Sequence, residues 1–154
     1  MELAKLLKPE AVKVVNAASS KKRLMQDIGE LMETAYGFRA GVVVDALMAR
    51  EALGPTGVGH GVALPHARLD GLDDVVGAFI LLDRPIDFSS VDRQPVDLAF
   101  ALFAPEEAGV EHLKALALVS RTLRNTAICN KLRANPDPAT LYTILIEEPS
   151  VKAA

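Results

Sequence analysis

Cysteine is almost absent: Cys129 stands alone in 154 residues, so no disulfide can close within the chain. The segment around it reads as helix, which gives the thiol a small apolar packing role rather than that of a redox nucleophile. Long apolar runs are missing too. Half of the residues are hydrophobic, yet no uninterrupted stretch approaches the ~20 residues that a membrane-spanning helix needs. Met1 to Glu10 has neither the basic start nor the apolar stretch of a secretory signal. Membrane insertion is therefore not expected, and the cytoplasm is the expected compartment. Positive charge is also scarce: 17 Lys and Arg against 20 Asp and Glu leave a net charge of −3, which argues against nucleic acid as a partner. Arg121, Arg124, Lys131 and Arg133 gather some basic charge in the C-terminal third, where they read as a solvated helix face. Internal repeats and low-complexity linkers are lacking as well. The length suits one domain over residues 1-154 with a single core.

Hydrophobic periodicity orders the chain. Val12 to Val15 reads as a short strand. Leu24, Met25, Ile28, Leu31, Met32 and Ala35 follow at helical spacing, with Ser20 as N-cap and Gly37 as the C-terminal stop. A second helix is expected from Ala40 to Leu53, ending at Gly54-Pro55. Val62 to His66, Val75 to Leu82 and Val96 to Phe103 read as strands, the last two apolar on both faces as in a sheet covered on both sides. Helical spacing resumes after Pro105, with Leu113, Leu116, Ala117, Ser120, Leu123 and Arg124 on one side of a helix from Glu111 to Arg124. Thr126 can cap a short helix to Arg133, and Asp137-Pro138 opens a last one carrying Leu141, Ile144 and Leu145. Strands in the middle and helices at both ends predict a three-layer α/β/α domain around a central mixed β-sheet.

Chemistry is concentrated between Gly54 and Arg68. Gly57, Gly59 and Gly61 alternate along a loop whose backbone can approach a ligand closely and turn N–H groups toward an anion, phosphate above all. The loop runs into Leu64-Pro65-His66, where proline stiffens the chain and His66 is presented at a strand end. A neutral imidazole can attack through one nitrogen while a hydrogen bond to the other fixes its tautomer, so phosphoryl transfer through nitrogen is the expected chemistry. His112 falls at a helix N-terminus, whose partial positive charge disfavours imidazolium and attracts anions. Arg50 can either clamp phosphate oxygens or serve as a C-terminal helix cation. Thr56 can bond a phosphate oxygen or stabilise its own turn. Arg68 can face a partner's acidic edge or remain solvated, and His60, between two glycines, reads as exposed.

These residues carry a resemblance. Arg50-Glu51-Ala52-Leu53-Gly54, Thr56-Gly57-Val58-Gly59 and Gly61-Val62-Ala63-Leu64-Pro65-His66 resemble the signature of the fructose/mannitol-type enzyme IIA family of the bacterial phosphoenolpyruvate:sugar phosphotransferase system. Pro85-Ile86-Asp87-Phe88, Gln94-Pro95-Val96-Asp97-Leu98 and the run from His112 to Arg121 follow in the family's order, so the likeness spans nearly the whole chain. The length and the stretch Leu123 to Leu132 are most similar to the nitrogen-regulatory branch. The resemblance implies the family's fold, His66 as the phosphorylated histidine, His112 as the second active-site histidine and Arg50 as the active-site arginine. It implies an HPr-like phosphocarrier protein as donor. Downstream it implies regulated proteins such as transporters or sensor kinases, or in sugar-transporting members a IIB component. His60 departs from the Gly-Asn-Gly or Gly-Glu-Gly of many nitrogen-branch proteins, which bears on partner choice.

Two other readings compete. His60, His66 and His112 could together ligate zinc, although the glycine loop has no part in that scheme. A scaffold acting by contact alone is the other. For the phosphocarrier, placement and charge stabilisation suffice, and neither metal nor nucleotide is expected as cofactor.

Overall fold

The computed structural model describes residues 1–16 and 18–152, with side chains through Glu147. Of the expected 1-154 span, Ala17, Ala153 and Ala154 lie outside the described residues. A single helical turn, α1 (Leu3–Leu6), leads into strand β1 (Leu7–Val15). Helices α2 (Lys21–Tyr36) and α3 (Ala40–Glu51) follow, then the short strands β2 (Gly57–Gly59), β3 (Val62–Ala63) and β4 (His66–Leu69). Two long strands, β5 (Val76–Ile86) and β6 (Val96–Pro105), precede α4 (Val110–Leu123), α5 (Thr126–Ala134) and α6 (Pro138–Lys152).

The sheet runs in the order β1-β5-β6-β3-β2, with β4 also on β6. It is mixed: β1 lies parallel to β5, β5 antiparallel to β6, β3 and β4 parallel to β6, and β2 antiparallel to β3. Helices α2 and α3 pack on each other and on β1, β5 and β4, while α1, α4, α5 and α6 form a second group against β1, β5 and β6. Sandwiched in this way, the sheet is the middle of three α/β/α layers. Consecutive residues Ala78 to Leu82 and Leu98 to Ala104 are all buried, as strands covered on both faces require.

Local chemistry sets the helix ends. The Ser20 hydroxyl accepts from the Arg23 N–H at 3.1 Å, and Gly37, at φ 81°, returns its N–H to Glu33 O. Both match the expected caps. Glu33 also reaches over the turn to accept the Ala40 N–H at 2.8 Å, which starts α3. A Cβ at Gly29 would meet Val44 Cγ2 at 2.8 Å and Ala40 O at 2.9 Å, so α2 and α3 cross at a contact only glycine permits. Asp137 caps α6 through the Thr140 N–H at 2.9 Å and hydroxyl at 2.8 Å.

Several expectations need correction. β1 is longer than Val12 to Val15, because its first half bulges: Leu7 pairs with Gly77 and Val12 with Phe79, and the exposed Lys8, Pro9 and Glu10 break the apolar pattern. The strand expected from Val62 to His66 is two strands. Both run along β6, first as Val62↔Leu98 and Ala63↔Ala99, then from His66↔Leu102 to Leu69↔Pro105. Pro65 separates them because it has no N–H to give, while its carbonyl still accepts the Leu102 N–H at 2.9 Å. His66 thus opens a strand rather than ending one. Asn125, not Thr126, caps α5, accepting from the Ile128 N–H at 3.2 Å. The buried side of α4 is His112, Ala115, Leu118, Val119, Thr122 and Leu123, whereas Leu113 is 68 % exposed.

Candidate functional site

His66, Arg50 and His112 meet in one cleft of about 480 Å³, which Ala46, Ala49, Leu53, Ala67 and Arg68 complete. Ala46, Ala49 and Arg50 recur at helical spacing, so one face of α3 forms a wall that Leu53 extends in the turn beyond it, and the two alanines leave room beside the imidazole. The opposite wall is the first turn of α4.

Each nitrogen of His66 has a defined partner. Nδ1 lies 2.9 Å from Leu64 O. A carbonyl only accepts, so that nitrogen carries the proton and Nε2 keeps its lone pair. Arg50 Nε donates to Nε2 at 3.3 Å. Pro65 fixes its own φ and favours an extended Leu64, which stiffens the link across which the ring meets the carbonyl two residues earlier. Burial holds the His66 pKa below its ordinary 6.5, the Leu64 bond and, less, the Glu51 charge opposing the shift and the Arg50 charge reinforcing it. The ring is therefore neutral at physiological pH and nucleophilic at Nε2.

His112 stands edge-on to His66, ring centroids 5.6 Å apart and planes at 87°. It is 7 % exposed, and its buried Nε2 has no hydrogen-bond partner. Burial first, then His66 and Arg68, depress its pKa. As the third residue of α4 it shares the helix terminus with N–H groups that lack intrahelical acceptors. An unsatisfied imidazole nitrogen at a helix N-terminus beside a nucleophile suits a bound anion.

Arg50 lies in the last turn of α3, where a helix cation would sit, and its guanidinium lines the His66 cleft. Its Nη1 donates to Gly54 O at 2.9 Å, closing the turn after α3, and its Nε reaches His66. Arg68 takes neither of its expected roles in full. Although exposed, it donates through Nη1 to Glu106 O at 3.0 Å, Pro105 O at 3.4 Å and Ala108 O, tying β4 to the loop that feeds His112. Among the described residues no carboxylate lines this cleft, and two guanidiniums do. A larger cleft of about 630 Å³ beside Pro105 is lined by the carboxylates of Asp73, Asp74, Glu107 and Glu111 against the ammonium groups of Lys5 and Lys114, the wrong side-chain balance for an anion.

The loop residues do not join this group. Thr56 is buried and donates its hydroxyl to Glu51 Oε1 at 2.7 Å and its N–H to Oε2 at 2.8 Å; it is a turn residue. A Cβ on Gly57 would collide with the Ser90 hydroxyl, and one on Gly59 would reach Asp92. Gly61, at φ 80°, packs against Arg133 and Asp97. These glycines answer close approach by the segment 90–97 and by α5, and none lines the His66 cleft. His60 is exposed and does not line the cleft of His66 and His112, so the structure does not bring the three histidines together, and among the described residues no group of three His, Cys, Asp or Glu side chains is placed to hold a metal ion. Arg133 is not solvated as expected: it pairs with Asp97 through two bonds of 2.9 Å and donates to His60 O at 3.0 Å. Cys129 is buried, its thiol pKa raised by desolvation.

Sequence reasoning placed Glu51 at the end of the helix before the loop but gave it no role. Its carboxylate meets Lys21 Nζ at 2.6 Å as well as Thr56, and Lys21 also donates to Phe88 O at 3.3 Å. A glutamate as the last residue of a helix opposes the helix dipole, and that local misfit was the available signal.

Comparison with known proteins gives the family. Residues 5–148 match the family described as phosphoenolpyruvate-dependent sugar phosphotransferase system, EIIA 2. A nitrogen regulatory protein of Bradyrhizobium diazoefficiens is 44 % identical over 153 residues, covering 99 % of this chain and all of the relative. The crystal structure of nitrogen regulatory protein IIA-Ntr from Neisseria meningitidis superposes with a TM-score of 0.83 at 35 % identity, covering 92 % of this chain and 97 % of the other. The crystal structure of IIA mannitol from Escherichia coli shares the fold, with a TM-score of 0.75 at 18 % identity over 90 % of this chain and 97 % of that one. Among the described residues no helix is long and apolar enough to cross a membrane. With nearly its full length matched, and with a neutral, oriented histidine at the centre of its cationic cleft, this chain belongs to the EIIA 2 family of the phosphoenolpyruvate-dependent sugar phosphotransferase system.

Proposed function

We propose that this protein is a cytoplasmic phosphocarrier that accepts a phosphoryl group on His66 Nε2 from the phosphohistidine of an HPr-like protein, and that its phosphorylation state regulates partner proteins such as transporters or sensor kinases. The observation that carries the reading is the His66 ring itself, its Nδ1 proton committed to Leu64 O and its Nε2 turned to Arg50 beside the unpartnered Nε2 of His112.

The transfer uses these groups in sequence. Arg50 first leaves the Nε2 lone pair, because a nitrogen that is accepting a hydrogen bond there is a poorer nucleophile. Its guanidinium re-pairs with the incoming phosphoryl oxygens. Nε2 then attacks in line: a new P–N bond forms, the donor's P–N bond breaks, and its electron pair returns to the donor imidazole. Positive charge that develops on the His66 ring is eased by the Nδ1–H bond to Leu64 O. A neutral His112, with its Nε2 protonated, donates to an equatorial oxygen, and the α4 terminus adds its dipole. The phosphoryl group brings about two units of negative charge to a cleft of guanidiniums, enough to alter a partner interface that reads electrostatic potential.

The test is labelling from phosphoenolpyruvate, enzyme I and an HPr-like carrier, read by intact mass for wild type and His66→Ala. One phosphoryl group gained by wild type and none by the variant is the expected result. Label persisting in His66→Ala would refute the assignment. The alternative purpose, passing the group to a sugar-specific IIB component, follows from the sugar system for which the family is described. Fast transfer to an isolated IIB at low protein concentration would select it.

A further inference from the structure

We propose that Glu51 is a positioning residue for phosphoryl transfer at His66, an inference that rests on the phosphocarrier reading. Nothing in the transfer itself uses Glu51, yet its side chain is only 5 % exposed and carries a carboxylate. Burying a carboxylate is costly unless it is paired and hydrogen-bonded, and here both oxygens are engaged. Oε2 meets Lys21 Nζ at 2.6 Å and the Thr56 N–H at 2.8 Å; Oε1 accepts the Thr56 hydroxyl at 2.7 Å.

These contacts close a short loop of chain. Glu51 ends α3 and Thr56 precedes β2, so the carboxylate staples the two ends of the turn 52–55. Lys21 fixes the staple from outside, since it begins α2, donates to Phe88 O at 3.3 Å and stacks its ammonium 4.6 Å from the Phe88 ring centre. Inside this stapled turn lies Gly54, whose carbonyl accepts from Arg50 Nη1 at 2.9 Å. That bond and the one from Nε to His66 Nε2 at 3.3 Å hold the same guanidinium plane. Glu51 and Thr56 fix Gly54 O, Gly54 O orients Arg50, and Arg50 addresses His66. A shorter network would orient the arginine by its own backbone alone, which four rotatable side-chain bonds do poorly.

Glu51→Gln keeps the shape but removes the charge, and Thr56→Val removes only the hydroxyl. Single-turnover labelling from the phosphorylated HPr-like donor is measured over a range of donor concentrations. At saturation, Glu51→Gln is expected to be slower by about tenfold and Thr56→Val by about threefold, with the half-saturating concentration unchanged, because misplacing a charge-stabilising group is felt in the chemical step. In parallel, the Arg50 side-chain Nε–H resonance and the His66 Nε2 nitrogen shift are recorded in the unphosphorylated proteins. In both variants the arginine resonance is expected to broaden and the Nε2 shift to move toward that of an unbonded nitrogen. Unaltered resonances together with a wild-type saturating rate, in a folded variant of either kind, would overturn the proposal and leave Glu51 a purely structural staple. If Glu51→Gln fails to fold, Thr56→Val decides alone by the same two outcomes. Wild-type protein that takes no label would refute the phosphocarrier reading instead, and the resonances would still judge the Glu51–Arg50–His66 relay.

Discussion

His66 and His60 lie six positions apart in one glycine-rich stretch, and the fold restrains opposite parts of them. At His66 the ring is held: Nδ1 by Leu64 O and Nε2 by Arg50. At His60 the main chain is held. Its N–H donates to Asp92 Oδ2 at 2.9 Å, its carbonyl accepts from Arg133, and its φ is 57°, while the residue is exposed. A fixed ring offers a chosen nitrogen to a reaction. A fixed backbone with an exposed residue offers a rigid corner of the surface. Chemistry follows which atoms are restrained, not which residue type is present.

Arg50→Lys is the sharpest way to break the His66 side of this contrast. Lysine keeps the charge but loses the planar fork that spans Nε2 and Gly54 O. Labelling from the phosphorylated donor should slow by about 10- to 100-fold, less than the roughly 100- to 1,000-fold lost when a preorganised donor to a developing charge is removed outright, because lysine keeps the charge, with His66 still the labelled residue by mass mapping. A rate within twofold of wild type would mean that charge alone suffices.

The opposite region is broken by Arg133→Met. The substitution leaves Asp97 and the His60 carbonyl without their donor, at a cost of about 1–3 kcal/mol, read as a lower melting temperature. Labelling of the folded protein should persist, since the hairpin of β2 and β3 lies outside the His66 cleft. Loss of labelling in a folded variant would show that the two regions are coupled.

How much of this was legible beforehand depends on the range of each interaction. The caps of α2, the buried strands β5 and β6, and the Pro-His presentation of His66 are set by residues within a turn of one another, and their patterns survive in sequence. His112 and Arg50 could be named as partners, but their approach to His66 is made by α3 and α4 packing across the sheet. The loop glycines misled for the same reason. Alternating glycines signal close approach, and approach there is; what approaches Gly57 and Gly61 is Ser90, Arg133 and Asp97, residues distant in sequence and invisible to local pattern. Arg133 carried no cue beyond its charge that Asp97, 36 residues away, would claim it.

Acid pH tests the contrast from the other direction. His66 and His112 both have folded-state pKa values below the ordinary 6.5, so below about that pH the unfolded chain binds more protons than the folded one. Their contribution to stability is fully present above pH 6.5 and is lost as pH falls through the lowered folded values. Urea unfolding should therefore show a falling midpoint from pH 7 to pH 5, with a shallower slope in His112→Gln. The same slope in both proteins would remove His112 from the account.

The smallest effect is expected at His60→Gly. Two opposed contributions act there. Glycine relieves the cost, of about 1 kcal/mol, of holding a residue with a Cβ in the left-handed region, and it adds a comparable loss of backbone entropy on folding. Both backbone bonds, to Asp92 and from Arg133, are available to glycine. Stability should stay within about 0.5 kcal/mol of wild type, as for a surface substitution, and the labelling rate should not change because the His60 ring has no place in the cleft. Binding to a regulated partner is then the property left for this side chain to affect. A variant with wild-type melting and labelling but altered partner affinity would place the function of His60 in its exposed ring. A variant that melts several degrees lower would show instead that the added backbone entropy outweighs the relief of the left-handed conformation.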